Sequence, residues 1–137
     1  MLKDCQLDHI AIAVKNIEEK VKIYRDLGIH FEDRREIVPE QKVKTAFATI
    51  EEHAHLELLE PTSDQSPIAQ YIAKKGEGIH HLCFKVTDIK AKSAELKAKG
   101  YTLIYENPVK GANNKLINFI HPKSTGGVLI ELSEELG

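Results

Sequence analysis

The feature that most constrains the fold of this chain is that it repeats itself. His9, Asn16 and Gly28 recur as His81, Asp88 and Gly100, each 72 residues further on and each in the same local context. In the first copy, Asp8 to Val14 alternates as a strand, with His9, Ala11 and Ala13 on one face and Ile10, Ile12 and Val14 on the other. Asn16 then caps a helix and Glu19 completes a capping box. Ile17, Val21, Tyr24 and Leu27 follow at helical spacing until Gly28 stops the helix. Strands over Phe31 to Ile37, Val43 to Ile50 and His55 to Leu59 complete a βαβββ unit. The second copy opens with a strand at His81 to Val86, caps its helix with Asp88, and adds strands at Tyr101 to Tyr105, Lys115 to Ile120 and Val128 to Leu132.

The expected fold is therefore α+β, with residues 1–137 forming one domain built from two pseudo-symmetric βαβββ modules. The modules span about 5–61 and 78–134. A helix over 66–75, with Ser66 and Pro67 at its start and Gly76 at its end, joins them. Each module's helix covers one face of its sheet. The uncovered faces, turned toward one another, would form a cleft suited to a ligand.

Composition narrows the setting. Hydrophobic residues make up 42% of the chain, enough to bury a core without disulfides. A formal charge of -2 gives no electrostatic footprint for nucleic acid or an anionic membrane, so neither is expected as a partner. No apolar run approaches the roughly 20 residues of a membrane helix, and Asp4 and Asp8 interrupt any signal-like segment. Cys5 and Cys83 make no disulfide pattern, and Cys83 lies in an apolar run where a buried thiol is expected. A reducing cytoplasm fits this chain.

Strand parity isolates four residues. His9 and His81 oppose the apolar face of each opening strand. Glu57 lies between Leu56 and Leu58, and Glu131 between Ile130 and Leu132, which puts each carboxylate opposite a pair of apolar side chains. A carboxylate in a buried strand costs several kcal/mol unless charge or hydrogen bonds compensate. A divalent metal held by two imidazoles and two carboxylates gives that compensation and leaves sites for water or substrate. Co2+ is the favoured ion, with Ni2+, Mn2+, Fe2+ and Zn2+ compatible. Taken singly, each histidine would fit a satisfied core or surface residue; the repeated set of four favours a metal.

The other histidines read as structural or solvated: His80 on the opposite side of its strand from His81, His53 and His55 near a turn, and His30 after a helix stop. His121 opens the loop HPKSTGG. Its Ser124 and glycines could direct backbone N–H groups at an anionic oxygen. The glycines around Glu77 and at Gly111 lack the order of a dinucleotide fingerprint.

The stretches LDHIAIAV, PEQKVKTAF, HLELLEP, SPIAQYIAKKGEGIHHLCFKV and INFIHPKSTGGVLIELSE resemble the vicinal oxygen chelate superfamily over nearly the full chain, and within it the methylmalonyl-CoA epimerase family. The resemblance places the family's metal positions on His9, Glu57, His81 and Glu131. It implies methylmalonyl-CoA as substrate, proton removal and return at the α-carbon through a metal-stabilised enolate, and a homodimer. One position departs: where some bacterial members carry a glutamate proposed as a proton-transfer base, this chain has Thr45, whose hydroxyl cannot titrate near neutrality. Glu131 is then the candidate catalytic base, with Glu40 close by in sequence to Thr45 and the second base open. A glyoxalase-like isomerase, a ring-cleaving dioxygenase and a non-catalytic ligand-binding module remain the alternatives.

Overall fold

The computed structural model describes residues 4–137 and divides the chain into two compact units. One is His9–His80; the other joins His81–Gly137 to the residues up to Asp8.

The first unit contains most of β1 (Cys5–Ala13), α1 (Ile17–Asp26), β2 (Arg35–Val38), β3 (Val43–Thr49), β4 (His55–Pro61) and α2 (Pro67–Lys75). Its strands lie in the order β2-β3-β4-β1, with β1 parallel to β4 and the other pairs antiparallel. The Asn16 side chain accepts the Glu19 N–H at 3.0 Å, which fixes the start of α1. Gly28 follows the helix at φ +97°, a left-handed conformation that favours glycine. The apolar face identified by parity is the one α1 covers. Val14, Ile17, Val21, Ala46 and Leu58 form a buried cluster there, with Ile12, Tyr24 and Phe31 packed against it. Burying an aliphatic side chain of this size contributes about 1.5–3 kcal/mol.

The second unit repeats the plan with β5 (Gly78–Val86), which begins in the first unit, α3 (Ile89–Ala98), β6 (Val109–Gly111), β7 (Lys115–Ile120) and β8 (Ile130–Glu135). The strand order is β5-β8-β7-β6, again with one parallel pair, β5 to β8. Asp88 caps α3 by accepting the Ala91 N–H at 3.1 Å, and Gly100 ends it at φ +96°, matching Gly28. Val86, Ile89 and Leu132 are buried beneath α3, with Phe84, Leu96 and Leu116 against them. Two βαβββ modules in an α+β fold are what the repeat predicts.

One expected strand is absent. Tyr101 to Tyr105 makes only an isolated bridge, Leu103 to Ile120, and the strand at this edge of β7 is the three-residue β6. Pro108 supplies no N–H to a ladder, and the buried Asn118 side chain takes the place of a backbone partner for Tyr105. In the first module the strand expected from Phe31 begins at Arg35, and in the second the strand expected from Val128 begins at Ile130, after Gly126 and Gly127 at positive φ. Among the described residues, no helix is long and apolar enough to cross a membrane.

Candidate metal centre

In the first unit, β1 and β4 run parallel with Ala11 opposite Glu57, so His9, two residues earlier on β1, shares the Glu57 face. The His9 Nε2 atom lies 3.5 Å from Glu57 Oε1, with side chains only 5% and 7% exposed. Phe47 pairs with Glu57 across β3 and β4, and Thr45 pairs with Leu59, which puts both on that face as well. In the second unit, Glu131 pairs with Cys83 on β5 and with Phe119 on β7. The His81 Nε2 atom is 2.7 Å from Glu131 Oε1, and both side chains are again buried. The structure thus places the four predicted residues in two imidazole–carboxylate pairs, one in each unit and each on the sheet face opposite its helix.

This donor set fits a divalent metal. Each unit buries a carboxylate beside an imidazole, the arrangement whose desolvation cost a cation offsets. Ligands bound at 2.0–2.2 Å and about 90° to one another stand roughly 3 Å apart, and the two N···O separations, 3.5 Å and 2.7 Å, bracket that spacing. Nitrogen and carboxylate oxygen donors suit first-row divalent ions rather than Cu(I) or an iron–sulfur cluster.

Other candidates resolve into structure. Thr45 is 1% exposed and its hydroxyl donates to the Glu36 carbonyl at 3.2 Å, so it serves the β2–β3 pairing. Glu36 is its cross-strand partner, which puts a second carboxylate on the Glu57 face, on the neighbouring strand. Glu40 is exposed, in the turn between β2 and β3. Cys83 is fully buried and its thiol donates to Ser133 Oγ at 3.4 Å, as expected of a structural thiol. His80 packs edge-on against Tyr71, with ring centroids 4.8 Å apart. His55 belongs to β4, half-buried, with its Nδ1 3.2 Å from the Thr49 hydroxyl, and so departs from the solvated reading; His30 and His53 are exposed. Ser124 Oγ accepts the Thr102 N–H at 3.0 Å, and His121 Nδ1 accepts the Lys123 N–H at 3.0 Å.

Sequence reasoning passed over three groups. Lys115 and Asp8 form a buried ion pair at 2.9 Å, with side chains 11% and 4% exposed. Burial works against the Lys115 charge, but the Asp8 hydrogen bond and charge outweigh it, so its pKa stands above the usual lysine value. No local signal joins residues this far apart. Glu60 Oε1 accepts the Ile17 N–H at 2.8 Å, and Glu134 Oε1 accepts the Ile89 N–H at 2.8 Å, so each last strand caps its module's helix. These two glutamates share the 74-residue offset of Glu57 and Glu131, which could have revealed them. The third is Phe119, whose ring meets His81 edge to face.

Residues 8–119 match the model of the Glyoxalase/Bleomycin resistance protein/Dioxygenase superfamily. The YqjC protein of Bacillus subtilis (strain 168) is 41% identical over 133 residues, covering 96% of this chain and 94% of that one. The mitochondrial methylmalonyl-CoA epimerase of Dictyostelium discoideum is 38% identical over 132 residues, covering 95% of this chain and 78% of its own length. This chain belongs to the methylmalonyl-CoA epimerase family. A solved methylmalonyl-CoA epimerase in complex with methylmalonyl-CoA and NH4+ superposes with a TM-score of 0.93 at 34% identity, over 98% of this chain and 97% of that one. Motif and fold thus point to the same family.

Proposed function

We propose that this chain is a metal-dependent epimerase that interconverts the (R) and (S) forms of methylmalonyl-CoA, with His9, Glu57, His81 and Glu131 holding one divalent ion. Co2+ is the favoured ion, and the working form is a cytoplasmic homodimer. The observation that carries this reading is the pair of buried histidine–glutamate contacts, repeated in the two modules of a chain from this family. A divalent ion at these donors supplies Lewis-acid polarisation of the substrate thioester carbonyl, which acidifies the α-carbon. Glu131 takes the α-proton on its carboxylate, shielded from bulk water by its burial. Inversion needs a second proton carrier, and Thr45 cannot be one. We assign that role to Glu36, the carboxylate paired across the strands with Thr45.

Stereochemical inversion in deuterated solvent, followed from either stereoisomer with metal-depleted and Co2+-restored protein, tests the reaction, the metal and the two carriers together. Metal-dependent inversion is expected, with deuterium incorporated at the α-carbon. E36Q should still exchange the α-proton of one stereoisomer while losing inversion, and E131Q should lose turnover by a factor on the order of 10² or more while losing less of its metal affinity. Absence of metal-dependent inversion overturns the epimerase reading, and glyoxalase turnover in parallel would replace it. Full inversion by E36Q overturns the Glu36 assignment alone.

A further inference from the structure

The second module carries a device that the first lacks. Phe119 sits directly opposite Glu131 in the antiparallel register of β7 and β8. Its ring meets the His81 imidazole edge to face, with centroids 5.6 Å apart and planes at 88°. Tyr105 packs against the same phenyl ring at 6.2 Å and 63°. Tyr105 is itself clamped: its N–H donates to Asn118 Oδ1 at 3.0 Å, and its carbonyl accepts from Asn118 Nδ2 at 3.1 Å. Asn118 is fully buried, and its amide nitrogen also lies 3.5 Å from Ser93 Oγ on α3. The result is a continuous brace from the helix, through Asn118, Tyr105 and Phe119, to the ring of a proposed metal ligand.

The repeat supplies the comparison that separates this from ordinary packing. The Ile104 N–H donates to the Phe119 carbonyl at 2.8 Å, and 72 residues earlier the Glu32 N–H donates to the Phe47 carbonyl at 2.9 Å, so the backbone course is duplicated. The clamp is not. At the positions equivalent to Asn118 and Tyr105 the first module has Ala46 and Asp33. The fold is therefore built once without the clamp, and its presence beside His81 requires another reason. An imidazole can turn about its Cβ–Cγ bond; a phenyl ring held against it at right angles restricts that rotation and shields the adjoining carboxylate from water.

We propose that Phe119, held by Tyr105 and Asn118, is a positioning residue that sets the ring plane of His81 for ligation beside Glu131. The inference rests on the metal reading of His81, so its test carries one readout that needs no metal. In F119L, Co2+ affinity measured by titration calorimetry should fall about tenfold, the lower end of what loss of a ligand's supporting contact costs. F119Y keeps the ring and should stay within about threefold of the parent protein. V86A removes comparable buried volume beneath α3, away from the brace, and should lower the melting temperature with affinity unchanged. In the metal-free protein, the NOEs and side-chain couplings that report the His81 ring orientation should show one orientation in the parent protein and V86A and several in F119L. Unchanged affinity and His81 ring orientation in F119L, or equal affinity losses in F119L and V86A, overturn the proposal. Loss of a single His81 ring orientation in F119L, with a parent protein that binds no divalent ion, would instead strike the metal reading while leaving the brace in place.

Discussion

Asp8 and Lys115 show how much one buried charge depends on its partner. The pair is almost entirely out of water, so removing one member strands the other. K115M should lose about 3–5 kcal/mol of unfolding free energy in urea, and the double variant D8N/K115M should recover most of it, since it buries no unpaired charge. A double variant no more stable than K115M would show that the lysine stem, not its charge, matters. This contact was hidden in the sequence for a physical reason: parity assigns faces within a strand, and says nothing about which distant side chain will reach a given carboxylate. His9, Glu57, His81 and Glu131 were legible because each alternates against apolar neighbours within its own strand. Thr45 was legible as a departure, and the structure adds the engagement of its hydroxyl by the Glu36 carbonyl.

At the scale of elements, Glu77 is a small tie with a measurable pH signature. Its carboxylate accepts the Lys15 N–H at 2.7 Å and pairs with Lys20 at 3.2 Å, joining the turn before α1 to the segment entering β5. The Lys15 N–H bond, aided by Lys20, holds its pKa below the ordinary 4.5. A depressed carboxyl pKa contributes stability above the unfolded value and loses it as pH falls through the folded one. Thermal melts should therefore show a larger fall between about pH 6 and pH 3 for the parent than for E77Q; parallel curves would refute the tie. The Lys20–Glu77 side chains are 28% and 29% exposed and so partly screened by water, and the pair's share is about 1 kcal/mol or less. The elements themselves were mostly readable, because capped helices and alternating strands declare themselves locally. The stretch Tyr101 to Tyr105 was not, since its apolar composition suits a strand while its neighbour β7 meets it with the Asn118 side chain.

For the whole molecule, metal binding and folding should be linked. An ion that binds only the native protein adds about 2.7 kcal/mol at a hundred times its dissociation constant, which in a domain of this size raises the melting temperature on the order of 10 °C. Calorimetric scans of chelator-treated and Co2+-loaded protein should show that rise, and E131Q should shrink it; coincident scans would exclude a native-state site. The division of the chain has a different consequence, for synthesis. The unit containing His81–Gly137 also takes in the residues up to Asp8, so it is assembled from two stretches separated by the whole of His9–His80. Asp8 precedes its partner Lys115 by 107 positions. At roughly 5–20 residues per second the ribosome delivers that lysine about 5–20 s after the aspartate. Asp8 must wait for that lysine, so the ion pair that ties it to β7 can close only after all of His9–His80 has been synthesised.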